Sequence, residues 1–139
     1  MAVFQETIEL RTSGRGLRDL TREIAAIVQR SRLRAGHVVV FCQHTSCSLV
    51  IMENADPTAR ADLEAFFERL APDGDPRYTH DAEGPDDMSA HLRMALTRTS
   101  ETTPIADGRL LLGTWQGVFL WEHRASPHDR SIVVSVQGA

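Results

Sequence analysis

Lysine is absent: all fifteen basic residues of this 139-residue chain are arginine. No lysine Schiff base can form, and any anion must be held by arginine, backbone N–H groups, hydroxyls or a metal. The arginines are not gathered into runs, and the net charge is −4, so the electrostatic footprint of a nucleic-acid binder is missing. No apolar run approaches the roughly 20 residues of a membrane span, and "MAVFQETIEL" has no basic-then-apolar secretory signal. A cytoplasmic protein is expected, with neither nucleic acid nor membrane as partner. Cysteine is scarce, only Cys42 and Cys47, which cannot make a disulfide framework. On one extended strand they would face opposite sides, and both read as small buried apolar residues. Walker loop, GxGxxG, GxSxG and HExxH motifs are all missing, which removes support for the standard nucleotide-binding and hydrolase readings.

What is present fits one domain over residues 1–139, a common domain size. "VFQETIEL" alternates, with Phe4, Ile8 and Leu10 on one side, and predicts a strand with one wet face. Leu17, Leu20, Ile24, Ile27 and Val28 predict a helix that stops near Arg34–Gly36. Val38–Cys42 predicts a central strand and "LVIM" at 49–52 another. Asp56 is a natural N-cap before Pro57, and Leu63, Phe66, Phe67 and Leu70 form one stripe of a second helix. "PDGDPRYTHDAEGPDD" predicts a long functional loop. A third helix is expected over 85–97 with Met88, Leu92, Ala95 and Leu96 facing the fold, and "RLLLG", "QGVFLWEH" and "SIVVSV" predict two or three adjacent strands. The fold class is α+β, a compact mixed or antiparallel β-sheet sandwich with about three helices. Exposed edges at 118–121 and 132–136 would be an aggregation hazard, so self-association is expected.

Chemistry concentrates on histidine. His44 ends an apolar strand in "QHTSCSL", His80 lies beside Asp81 in the polar loop, and His91 sits one helical turn after Asp87. Taken singly, each reads first as an edge-of-core imidazole satisfied by a carbonyl. Together, imidazoles from a strand end, a loop and a helix rim suit zinc or a similar divalent metal with an open position. Asp87, four residues before His91, is placed to fix a tautomer, although it also favours the helix dipole. Glu122 and His123 close an apolar strand and must point to opposite faces. "LGTWQG" puts glycines around Thr114 and Gln116, with Arg109 and Arg124 on either side. Such a segment serves either a ligand or an ordinary turn.

"QHTSCSLVIMENADPTARADLEAFF", "YTHDAEGPDDMSAHLRMAL" and "GRLLLGTWQGVFLWEHR" together resemble the YjbQ-like family, also called the secondary thiamine-phosphate synthase enzyme family. The family patterns fall on His44, Thr45 and Ser46, on Glu53, Asn54 and Asp56, on His80 to His91, on Gly113 to Gly117, and on Glu122 to Arg124. The resemblance implies a small α+β fold, a homotrimer, and a weak thiamine-phosphate synthase activity. Met52 stands where many relatives have asparagine. Ala55 stands where some have cysteine, which excludes a thiol mechanism at that position.

That activity joins a hydroxymethylpyrimidine pyrophosphate to a thiazole phosphate and releases pyrophosphate, so it needs charge stabilisation more than a protein nucleophile. The expected metal ligands, for zinc or magnesium, are His44, His80 and His91. Asp81, Asp87, Glu122 and His123 are the expected catalytic groups. Thr45, Ser46, Asn54, Arg109, Thr114, Gln116 and Arg124 are expected to bind a small phosphorylated substrate. A metal-dependent hydrolase with Glu122 or Asp81 as base, and a non-catalytic small-anion binding module, are the alternatives.

Overall fold

Alternating burial runs the length of β1 (Ala2–Arg11), where Phe4, Ile8 and Leu10 lean on the core while Gln5, Thr7 and Glu9 stay in water. This is the period-two pattern of a strand wetted on one face. The computed structural model describes all 139 residues. The chain continues through β2 (Gly16–Asp19), α1 (Thr21–Ser31), β3 (Gly36–Cys42), β4 (Cys47–Glu53), α2 (Pro57–Leu70) and α3 (Asp87–Leu96), and then β5 (Ser100–Ala106), β6 (Arg109–Leu110), β7 (Gln116–Glu122) and β8 (Asp129–Gly138). The strands form two antiparallel sheets, one ordered β1-β8-β3-β5-β6 and the other β2-β7-β4. A single core cluster draws Ile24, Ile27 and Val28 from α1, Val38 and Val40 from β3, Val118 and Leu120 from β7, and Val134 and Val136 from β8. Three helices and two antiparallel sheets make the fold α+β, as the sequence pattern predicts. No helix is long and apolar enough to cross a membrane.

Several local expectations need correction. Leu17 belongs to β2, opposite Trp121, and not to the first helix. The helix starts only at Thr21, whose N–H and hydroxyl both donate to Asp19 Oδ1 at 2.8 and 2.6 Å. A four-residue strand is too short to show a period of its own. β5 was not foreseen, because "SETTPIA" is polar and contains Pro104, a residue that normally argues against a paired strand. β7 and β8 are not neighbours. Each is the inner strand of its own sheet segment, flanked by β2 and β4 or by β1 and β3, so neither presents the bare edge expected at 118–121 and 132–136.

α2 starts as its sequence dictates, with Asp56 accepting from Thr58 N–H at 2.9 Å and Pro57 in the first turn. Its apolar stripe is nevertheless not fully covered within the chain, since no residue of α2 is fully buried. α3 departs further from expectation. The residues it buries are Asp87, Ser89, Ala90 and Arg93, while Leu96 stands 60% exposed. The polar side of this helix turns inward because Arg93 donates to the Ala71 carbonyl at 3.1 Å and Asp87 meets two histidines and an arginine.

Candidate functional site

Four separate pieces of chain meet at the start of α3. The helix itself places Asp87 and His91 one turn apart on the same face. The loop between α2 and α3 delivers His80, whose Nε2 lies 2.7 Å from Asp87 Oδ2. The loop is held open in a fixed shape: Gly74 N–H donates to the Pro85 carbonyl, Tyr78 OH to the Pro72 carbonyl, and Arg77 to Asp75. The corner between β3 and β4 supplies the Thr45 carbonyl, and the residues after β7 supply Arg124. That guanidinium donates to Asp87 Oδ1 at 3.0 Å, to Asp86 Oδ2 at 3.1 Å and to the Glu83 carbonyl at 3.1 Å.

The protons at His91 are fixed by this geometry. A carbonyl oxygen can only accept, so the 2.6 Å contact between His91 Nδ1 and Thr45 O requires Nδ1 to carry the hydrogen. In the neutral ring the lone pair then sits on Nε2, 3.2 Å from Asp87 Oδ2. Two acceptors face each other across that gap unless a second proton or a cation lies between them. Burial opposes ionisation of Asp87, but the hydrogen bond from His80 and the charges of His91 and Arg124 outweigh it and hold the carboxyl below its ordinary range. His80, Asp87 and His91 each offer one ligand atom, all within 4.8 Å of one another. A cavity of about 300 Å³ opens beside them, with Tyr78, His80, Asp81 and Gly84 among its walls.

Of the three expected ligands, His80 and His91 come together and His44 stays outside the group. His44 Nε2 accepts the Ser131 N–H at 2.8 Å, a bond that occupies the nitrogen pair a metal would need. The third member of the group is Asp87, expected as a catalytic group, whose carboxylate oxygen lies within 4.8 Å of both ring nitrogens. Asp81 is exposed next to His80. Glu122 and His123, expected as catalytic, are enclosed. Glu122 receives Arg130 Nε at 2.7 Å, Thr12 Oγ1 at 2.8 Å and Arg124 N–H at 3.1 Å. The His123 ring bonds Ser48 Oγ through Nε2 at 2.8 Å and lies against Trp121, and burial drives its pKa down to about 3, with Arg93, Arg15 and Arg130 adding to the effect.

The expected substrate-binding residues have mostly structural work. Thr45 contributes its carbonyl, and Ser46 is held by Arg130 through Oγ at 3.0 Å. Asn54 donates to the carbonyls of Thr114 and Gln116, while Gln116 Oε1 accepts the Gly113 N–H at 2.8 Å. "GTWQG" is therefore a turn tied to the end of β4. Arg109 is on β6, beside a different cavity with Arg32 and Arg34. Arg124 orients the aspartates instead of facing a ligand.

Two features escaped the sequence. A polar network joins buried Trp121, Arg93 and Ser89 to Glu64 and Asp73 at its outer rim: the indole donates to Glu64, Ser89 donates to Asp73, and Arg93 lies 3.9 Å from both carboxylates. The two cysteines are also in contact. The chain turns back at Gln43–Ser46, so the Cys42 and Cys47 sulfurs lie 3.2 Å apart instead of on opposite faces. For the enclosed Glu122 the available signal was Arg130, a charged residue at an inward position of an otherwise apolar strand, which pairs with it.

The family model for UPF0047 protein YjbQ-like matches residues 6–139. UPF0047 protein sll1880 of Synechocystis is 53% identical over 134 residues, 96% of this chain and 91% of that one. UPF0047 protein YjbQ of Escherichia coli O157:H7 is 41% identical over 136 residues, 97% of this chain and 98% of that one. The crystal structure of an uncharacterised YjbQ/UPF0047 family protein from Clostridium acetobutylicum superimposes with a TM-score of 0.88 at 33% identity, covering 95% of this chain and 99% of that one. With the whole fold and nearly every residue in register, the chain belongs to the YjbQ-like UPF0047 family.

Proposed function

We propose that this protein binds a divalent metal through His80, Asp87 and His91 and acts in the cytoplasm on a small phosphorylated substrate. The reaction is the joining of a hydroxymethylpyrimidine pyrophosphate to a thiazole phosphate. The observation that carries the metal reading is the proton on His91 Nδ1, held by the Thr45 carbonyl, which leaves Nε2 aimed at an ionised carboxylate. Arg124 orients Asp87 from the far side, the support a ligating carboxylate ordinarily receives. Two imidazoles in the donor set favour zinc or another borderline metal over magnesium, which takes oxygen ligands. When bound, the metal would neutralise charge developing on the leaving pyrophosphate. Asp81, exposed beside His80, is the carboxylate placed to take up a proton at the cavity wall. Neither Glu122 nor His123 lines the cavity beside His80.

The experiment is metal analysis of the purified protein followed by turnover. Wild type is expected to hold about one metal per chain, and Asp87→Asn, which removes the charge of a direct ligand, to lose more than the roughly 10–100-fold that loss of a supporting partner costs. With metal and both substrates, thiamine phosphate should form. Cleavage of phosphate esters without that product would point to a hydrolase using Asp81 instead, and anion binding without turnover to a non-catalytic module.

We also propose that the chain forms a homotrimer. Phe66 and Leu70 on α2, Leu96 on α3 and Trp115 are 50 to 64% exposed, an apolar surface that association would cover. The number three rests on the family resemblance. Sedimentation equilibrium should give a trimer for wild type and a smaller species for Phe66→Asp/Leu70→Asp. A wild-type monomer at micromolar concentration would refute the assembly.

A further inference from the structure

The stretch "RTSGRGLR" at residues 11–18, from the end of β1 through the connecting loop into β2, borders a cavity of about 260 Å³ that shares no residue with the His80, Asp87 and His91 group. Its walls include Arg11, Arg15 and Arg18, with Ser13 and Gly14 between them and Glu122 beneath. The backbone N–H groups of Ser13, Gly14 and Arg15 donate no hydrogen bond to any part of the chain. Gly14 is a buried residue between exposed Ser13 and half-buried Arg15, and a backbone amide with no partner in the chain is one that water or a ligand must satisfy. Only glycine fits there: its φ is +108°, and a Cβ would come within 2.6 Å of the Ala125 carbonyl oxygen.

The loop is pre-set. Arg15 grips Asp73 with two bonds of 3.0 Å and the His123 carbonyl with two more, which fixes the turn on one side. Arg11 pairs with Asp129, but both are largely exposed, and such pairs are weakly held. Arg18 has no partner in the chain and is free to turn onto a guest. The one carboxylate in the wall, Glu122, already has its charge matched by Arg130. Successive free amides in a glycine turn, with guanidinium groups around them, are the donor set that holds a phosphate oxygen cluster.

We infer that this cavity is a second small-molecule site, one that binds the phosphate or pyrophosphate group of a small metabolite. It stands whether or not the His80 group holds a metal. The test is titration of ¹⁵N-labelled full-length protein with inorganic phosphate and with inorganic pyrophosphate, in the presence of a chelator so that no metal contributes. Saturable shifts centred on the amides of Ser13, Gly14 and Arg15 are expected. Arg18→Glu, a change at an exposed side chain with no partner, should weaken binding about tenfold or more, the scale of one charge-assisted contact. His91→Ala should leave it unchanged. The inference is overturned by the absence of saturable shifts at millimolar ligand, by shifts centred on residues 80–91, or by unaltered binding in Arg18→Glu. Shifts produced by a single-stranded oligonucleotide but by neither inorganic ion would overturn it as well.

Discussion

Arg130→Met is expected to destabilise the protein by roughly 3–5 kcal/mol, the cost of leaving a buried carboxylate without its partner. The Glu122 and Arg130 side chains are only 2% and 5% exposed, joined through two nitrogens and two oxygens. Removing the guanidinium would leave Glu122 with Thr12 Oγ1 and the Arg124 N–H, which satisfy lone pairs but carry no full positive charge. The double variant Glu122→Gln/Arg130→Met removes the stranded charge and should recover much of the loss. Chemical denaturation of the wild type, both single variants and the double variant forms the cycle. A cost below about 1 kcal/mol for Arg130→Met, or a double variant no better than the single, would show that water reaches this pair. A damaged pair should also be felt at the site, because Arg130 holds both the carbonyl and the hydroxyl of Ser46, next to the Thr45 carbonyl that fixes His91.

Stability should also fall as acid is added, with a slope set by His123. Its folded pKa of about 3 lies well below the ordinary 6.5, so between those values the unfolded chain binds a proton that the native ring refuses. The contribution is complete above pH 6.5, declines as pH drops, and is exhausted near pH 3. Over that window it approaches about 5 kcal/mol, at ~1.4 kcal/mol per pH unit. His123→Gln removes the titrating group while keeping a polar side chain opposite Ser48. Between about pH 4.5 and 6, above the range where most carboxylates titrate, the unfolding free energy of the variant should be flatter by close to the full ~1.4 kcal/mol per unit. Equal slopes in the two proteins would mean that the ring is hydrated in the native state.

Some of this architecture can be read from the chain alone, and the reasons are local. β1 shows its period over ten residues, and α2 announces its start with Asp56 and Pro57. The loop before α3 is recognisable by composition. What cannot be read is the arrangement that depends on partners distant in sequence. α3 has an apolar stripe on Met88, Leu92 and Leu96, yet it buries Asp87, Ser89 and Arg93, because Ala71, Asp73 and His80 await them on the preceding loop. Asp87 was recognised as the neighbour of His91, but the backbone donation from Ser131 that occupies His44 comes from a strand 87 residues away. The cysteines illustrate the same limit. Spacing along an extended strand separates them, and a four-residue corner at Gln43–Ser46 brings them together.

That corner is where the chain leaves the five-stranded sheet at Cys42 and enters the three-stranded sheet at Cys47. Its Thr45 carbonyl is also the anchor of His91. The imidazole is thus mounted on the seam between the two sheets, and its position follows the gap between them. Core substitutions far from the histidines, if they widen or narrow that gap, will be transmitted to the ring as a displacement, because a corner this short has no slack with which to absorb them.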